Sequence, residues 1–302
     1  MPEWIIEEGI GETRAALVEN DEIIEARIRR DGIIVSGTIF DAKLKAIAPR
    51  VVVEAEGQEF LLPRGATGIS EGAAIRIEVV REQSGSESWK RPLARQSDEP
   101  ARTAPPLADG RAGTIERWDD LLEEARSGIV AFDGGELRIE TTAAMTVVDV
   151  DGWLVPDKLA QMAAWAIARA IRRLDIGGSI VIDFPTIEGK AERQQIGEII
   201  DNYLEKPFER TAMNGFGLVQ IVRPRTRASL IELAQDRATF EARALLRRSE
   251  KEVGSVTLVA HPAVVAAIRA DWKERLAKKG GGMVTLNADP TLAMSGAYAQ
   301  KS

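Results

Sequence analysis

The chain has 302 residues, 44% of them hydrophobic and 29% charged, with a net charge of −7, one histidine and no cysteine. This is the composition of a globular protein with room for two or three compact units, and it excludes disulfides and thiolate metal sites. No apolar run approaches the roughly 20 residues of a membrane span, and the acidic opening MPEWIIEEGIGETR is not a secretory signal, so a cytoplasmic protein with no membrane contact is expected.

In chain order, residues 1–35 read as short strands: WIIEE, TRAALVEN and EIIEARIRR, with Asn20-Asp21 as a hairpin turn. Residues 36–83 continue with GTIFDAKLKAIAP, RVVVEAEG, QEFLLPRG and AAIRIEVVRE, broken at Pro49, Gly57, Gly65 and Gly72. Short strands at that spacing predict a small closed barrel of OB type. Residues 84–113 are rich in Ser, Pro, Gly, Arg and Asp without apolar periodicity, the composition of a flexible linker.

Order returns over 114–234. TIERWDDLLEEARSG is an amphipathic helix with Ile115, Trp118, Leu121 and Leu122 on one side, and IVAFDGGELRIE is a hairpin turning at Asp133-Gly134-Gly135. The strand AMTVVDVDG, the helix PDKLAQMAAWAIARAIRRLD and the apolar strand SIVIDFP make a βαβ unit, which pairs its strands in parallel. The helix is expected to stop at Gly177-Gly178. Another helix (KAERQQIGEIIDNYLEK) and a strand (FGLVQIVR) follow. Residues 235–302 give helix, strand, helix and strand (RATFEARALLRRSEKE, SVTLVAHP, AVVAAIRADWKERLAKK, GGGMVTLNAD), a small α/β unit. The fold class is mixed α/β.

The lone His261 precedes a proline and reads as structural, which turns the search for chemistry towards carboxylates. Asp149 and Asp183 end the two strands of the βαβ unit, 183 − 149 = 34 residues apart, a natural span for one crossover. Parallel strands bring their carboxyl ends to one edge, where ligands bind. Two carboxylates there can share one hard divalent cation, which can polarise a phosphoryl oxygen and acidify water. Acidic residues at strand ends also cap helices and turns, and Asp151-Gly152 by itself makes a turn. The acidic net charge counts against nucleic-acid binding unless a basic face is hidden within it.

TTAAMTVVDVDG followed by IARAIRRLDIGGSIVIDF resembles the catalytic core of the ribonuclease E/G family, most closely at Arg169 and from Leu174 through Gly178 to Asp183-Phe184. FGLVQIVRPRTRASLIEL is similar to that family's F-G-L-V-E-x-T-R-K-R-T-R-E-S-L, GETRAALVEN to its E-T-R-V-A-L-x-E, and GTIFDAKLKAIAP to the start of its S1 barrel. The resemblance implies an S1-like barrel, a DNase I-like catalytic core and a small C-terminal domain. It also implies Mg²⁺-dependent endonucleolytic cleavage of single-stranded RNA and a homodimer through the catalytic core.

On that resemblance Asp149 and Asp183 are Mg²⁺ ligands, and Asp151 stands where the family has an Asn that orients water. Arg169, Arg223, Arg225 and Arg227 are expected to contact RNA, the last three as guanidinium forks on its backbone. Phe60 would offer a stacking ring, and Lys90 would match a conserved-pattern lysine of the family. The chain also departs from the pattern. The C-P-x-C zinc link is absent, so no zinc is expected, and Gly215 replaces an Arg of the pocket that senses RNA 5′ ends. Ala143, Met162, Trp165 and Thr186 replace acidic residues beside the metal site, Pro185 replaces an Ile, and Pro224 replaces a Lys. Such groups orient metal ligands. A degenerate relative that binds RNA or a partner without cutting is the alternative reading.

Overall fold

The computed structural model describes residues 1–83 and 91–301. β1 (Glu3–Glu8), β2 (Glu12–Glu19) and β3 (Glu22–Arg30) form an antiparallel meander, joined on its far side by β9 (Arg111–Ala112) parallel to β1. Asn20 and Asp21 both take positive φ, 50° and 62°, the geometry a tight two-residue hairpin demands and which these two side chains tolerate.

β4 (Ile39–Ala46), β5 (Val52–Ala55), β6 (Gln58–Leu61), β7 (Ala74–Arg81) and β8 (Leu93–Gln96) close an OB-like barrel in the order β4-β5-β6-β8-β7. Leu44, Val53, Phe60, Ile77 and Val79 fill it, each inaccessible to solvent. The fifth strand lies inside the stretch expected to be flexible linker. Its composition hid a four-residue strand in which only Ala94 faces inward, while Arg95 pairs with Glu78 of β7. The following residues are pinned as well. Arg102 bridges to Ile39, Pro105 and Leu107 accept hydrogen bonds from Arg29 and Arg27, and Leu107 and Ala108 are buried against Ala15.

The central sheet has the order β10-β11-β12-β13-β15-β14, from β10 (Ile129–Phe132), β11 (Gly135–Thr141), β12 (Thr146–Gly152), β13 (Gly178–Asp183), β14 (Glu209–Arg210) and β15 (Leu218–Arg223). β12 and β13 are the parallel pair and the other neighbours are antiparallel. Helix α1 (Trp118–Ser127), the crossover helix α2 (Pro156–Arg173), α3 (Lys190–Tyr203) and α4 (Leu230–Gln235) contribute to one core with a single face of this sheet. That core also takes in Ile5, Ala16, Ile23, Ala26 and Ile28 of the first sheet, so α2 is buried from both sides. Its Ala160, Ala163, Ala164 and Ala168 let two layers approach it closely. Helix α2 ends earlier than the glycine pair suggests: Asp175 itself adopts the left-handed conformation, with φ 53°. Gly177 instead allows close approach, since a Cβ there would stand 2.7 Å from the Pro224 carbonyl.

The C-terminal unit comprises α5 (Arg237–Ser249), β16 (Val256–Ala260), α6 (Pro262–Ala267), α7 (Ala270–Gly280), β17 (Val284–Ala288) and β18 (Tyr298–Lys301), with sheet order β17-β16-β18. The single helix expected over AVVAAIRADWKERLAKK is broken at Ile268, whose extended backbone ends α6. His261 caps α6, its Nδ1 accepting from the Ala263 N–H at 3.1 Å, which is a structural role.

Helix α5 joins the two cores: Phe240 and Ala244 belong to the central one, Ala242, Leu245 and Leu246 to the C-terminal one. Glu241, fully buried, accepts two hydrogen bonds from Arg126 of α1, at 2.7 and 2.9 Å. Removing one member of such a pair strands the other charge in a dry site, at a cost of about 3–5 kcal/mol. Glu241→Ala is therefore expected to lower the unfolding free energy by about that amount in denaturant titration. A loss below about 1 kcal/mol would show that Arg126 re-solvates freely.

Candidate functional site

In the β12–β13 ladder Asp149 stands directly opposite Asp183, with neighbouring strands about 4.8 Å apart. Strand alternation sends Val148, Val150, Ile180 and Ile182 into the core, and Asp149, Asp151 and Asp183 to the opposite, solvent-exposed face. The two acidic strand ends singled out in the sequence thus meet at one edge, and Asp151 lies two residues along on the same side. On β11, Arg138 is opposite Asp149 and Glu136 opposite Asp151. Arg138 bridges to both Glu136, at 2.6 Å, and Asp151, at 3.2 Å.

This face is acidic. Across β11, β12 and β13 it carries Glu136, Glu140, Asp149, Asp151 and Asp183 against the guanidinium of Arg138. The Asp149 carboxyl is held above its ordinary value, first by partial burial and then by repulsion from Asp151 and Asp183; the Val150 N–H and Arg138 oppose the rise. Among the described residues neither Asp149 nor Asp183 forms an ion pair. Oxygen donors at paired positions, repelling one another and open to water, suit a hard divalent cation that keeps part of its hydration. Among the described residues no three His, Cys, Asp or Glu side chains converge on a common point to form a metal cage; what the edge offers is a two-carboxylate site.

The other expected contacts do not gather here. Phe60 is buried to 0% exposure in the barrel core, its ring edge-on to Phe40 with centroids 5.6 Å apart, so it cannot stack on a base. Arg169 lies on α2, on the covered side of the sheet, where it pairs with Glu22 at 2.6 Å and its guanidinium sits over the Trp165 ring. Arg223 ends β15 opposite Gly178 while Leu218 is opposite Asp183. That leaves Arg223 about 17 Å from the aspartate edge, five residues at about 3.4 Å each. Arg223 donates to the Ile176 carbonyl, Arg225 to Glu232 and Arg227 to Asp175. These three arginines are partly buried: Arg223 and Arg227 fasten the end of β15 and the turn after it to the segment before β13, and Arg225 fastens that turn to α4. The Arg223 guanidinium is even lowered from its usual value by burial. Lys90 lies outside the described residues.

Two large rings, Trp153 and Phe216, stand bare beyond the aspartate-bearing strand ends without any mark in the sequence. Nothing in a sequence separates an exposed tryptophan from a core one when it follows a strand directly.

Residues 116–226 match the family model described as the ribonuclease E/G family. The chain is 36% identical over 109 residues to ribonuclease G of Escherichia coli strain K12, a match covering 32% of this chain and 22% of that protein. It is 31% identical over 130 residues to the chloroplastic ribonuclease E/G-like protein of Arabidopsis thaliana, covering 36% and 13%. To ribonuclease E of a Nostoc species it is 32% identical over 115 residues, covering 34% and 17%. The matched segment spans less than a quarter of each of these relatives.

The raised carboxyl makes a prediction about pH. The folded chain holds the Asp149 proton to higher pH than the unfolded chain does. The associated stability is therefore full below the ordinary carboxyl pKa of about 3.9 and is lost as pH rises through the raised folded value. In metal-free buffer Asp149→Asn is expected to stabilise the fold at pH 7, by less than about 1 kcal/mol because the group meets solvent. The gain should vanish below about pH 3, where both states are protonated. Thermal melts of the two proteins across pH check this; destabilisation at pH 7 would mean that the carboxylate has a favourable partner.

Proposed function

We propose that this chain, whose residues 116–226 belong to the ribonuclease E/G family, is an endoribonuclease that hydrolyses single-stranded RNA at the Asp149–Asp183 edge. The observation that carries this reading is the register itself: two carboxylates from separate strands face one another, exposed and in no ion pair among the described residues. Asp149 and Asp183 would hold a divalent cation such as Mg²⁺. When bound there, it supplies positive charge at a phosphoryl oxygen and acidifies water for attack on the phosphodiester.

The remaining roles fall to the chain's own groups. Asp151, tied to Arg138, adds a third negative charge beside the pair and sets the position of the guanidinium. Arg138 donates to both flanking carboxylates, which holds it along the approach to the edge. The open face of the sheet gives an extended strand room to lie flat, whereas a polyanion would meet repulsion from five carboxylates until cation is present. Binding to this face should therefore depend on divalent ions more than on lysine or arginine.

One observation favours the non-cutting alternative: with Asp151 engaged by Arg138, the edge keeps two unpaired carboxylates and, among the described residues, no third. A single experiment separates the two. A labelled single-stranded RNA is incubated with wild type and with Asp149→Asn/Asp183→Asn, with Mg²⁺ and with excess chelator. Cutting by wild type that needs Mg²⁺ and falls about 10³-fold or more in the double variant is expected, a loss of about 4 kcal/mol of transition-state stabilisation. Binding without cutting in both proteins would establish the degenerate reading.

A further inference from the structure

We propose that Trp153 and Phe216 position the nucleic acid over the Asp149–Asp183 edge, each by stacking a base on its exposed ring; this rests on the reading that the edge takes single-stranded RNA. Each of these side chains is 79% exposed. A large ring left in water is commonplace on a loose loop, but here both backbones are fixed.

Trp153 follows β12 directly. Asp149 and Asp151 alternate onto the open side, and Leu154 turns into the core, which leaves Trp153 on the aspartates' side. Its N–H donates to the Gly134 carbonyl at 3.1 Å, tying it to the β10–β11 turn. A Cβ on the preceding Gly152 would lie 2.4 Å from that same carbonyl, so the close approach requires glycine.

Phe216 is presented by a turn built on Asn214, whose side-chain oxygen accepts from the N–H groups of Phe216 and Leu218 at 2.9 and 3.0 Å. The next residue, Gly217, has φ 93°, and a Cβ there would stand 2.2 Å from the Phe184 carbonyl. Phe184, immediately after Asp183, donates its N–H to the Gly217 carbonyl at 3.2 Å. The Phe216 turn is thus hydrogen-bonded to the residue next to a site aspartate.

In sheet order β12-β13-β15, Trp153 leaves from the first strand and Phe216 enters the third, with Asp183 on the strand between. Two strand spacings, about 10 Å, separate the two strands they leave from, and along the strands Trp153 lies four residues, about 13 Å, past Asp149 while Phe216 lies two residues, about 7 Å, beyond the Leu218 that faces Asp183. The rings stand beyond the carboxylate pair, one to each side of the strand bearing Asp183, on backbones that need no reordering, and the rings themselves are free to be covered. Stacking is attractive to any base and carries no charge, so it works on an acidic face where a phosphate contact would be opposed. It also supplies what the buried Phe60 cannot.

The test measures anisotropy of a labelled, uncuttable 2′-O-methyl oligouridine in Mg²⁺ at two salt concentrations, alongside kcat and KM on the unmodified RNA. The proteins are wild type, Trp153→Ala, Phe216→Ala, Trp153→Phe, Phe216→Trp and, as a control, Val253→Ala, an equally bare apolar side chain (80% exposed) on the C-terminal unit. Each ring-to-alanine change is expected to weaken binding about tenfold, by the same factor at both salts, and to raise KM with kcat little changed. The aromatic exchanges and Val253→Ala should stay near wild type. If wild type cuts RNA while the alanine variants bind and cut as it does, the inference is overturned and the nuclease reading stands. If wild type binds without cutting and the alanine variants bind weakly, the rings are established and the nuclease reading fails. Alanine variants that change sedimentation mass but not oligonucleotide affinity would make this a self-association face, which also overturns the inference.

Discussion

Everything at the candidate site depends on one pairing, the parallel register of β12 and β13 joined by α2. Parallel strands must be linked by a crossover, and a crossover helix covers one face of the sheet. Here α2 is buried on both sides, against the central sheet and against the N-terminal meander, and its alanine-rich surface makes that double contact possible. The covered side is thereby committed to packing. The opposite side carries the charged residues of β11, β12 and β13 together with the exposed Leu218 and Val222 of β15, and both strand ends bearing aspartate arrive at one edge of it. A register slip of one residue would turn Asp149 or Asp183 into the apolar core, which the flanking Val148, Val150, Ile182 and Phe184 strongly oppose.

That pairing was legible in the sequence because its signals are local: alternating valines and isoleucines ending in Asp, an amphipathic helix of suitable length, then a second apolar strand. The barrel was legible for the same reason up to its fourth strand. The fifth, Leu93–Gln96, was not, since one inward alanine among arginines and prolines leaves no alternation to read. The break at Ile268 and the last strand Tyr298–Lys301 escaped because tertiary pairing, with Val256 to Val259 of β16 in the latter case, decides them. Two carboxylates at strand ends could be placed by topology alone. Whether Phe60 faced a base or a core, or whether Arg223, Arg225 and Arg227 faced solvent or Ile176, Glu232 and Asp175, depended on layers that no linear pattern specifies.

The charge distribution follows from this architecture. Much of the chain's arginine is spent on holding units together: Arg27 and Arg29 against the stretch after the barrel, Arg126 on Glu241, Arg247 on Glu7 and the Ile115 carbonyl, and, of those the sequence offered as phosphate contacts, Arg223 and Arg227 just before β13. Burial disfavours the charge of Arg29 and Arg223, and that of Arg243 as well, whose guanidinium is lowered to about 10. A chain that uses arginine as internal mortar has less of it to display. The acidic total and the acidic open face are two views of the same allocation.

An acidic face can still serve a polyanion if attraction comes from sources other than fixed cations. One is a divalent ion at the carboxylate pair, which converts local repulsion into binding and makes the two inseparable in any salt or chelator series. The other is stacking, whose strength comes from ring area and not from charge. Trp153 and Phe216 would make that contribution from beyond the ends of the aspartate-bearing strands, where an interaction fixes the register of a bound strand as well as its affinity. Rings tied to the two aspartate-bearing strands would make the position of the bases and the position of the carboxylates one geometric fact, set by the same ladder that brings Asp149 opposite Asp183.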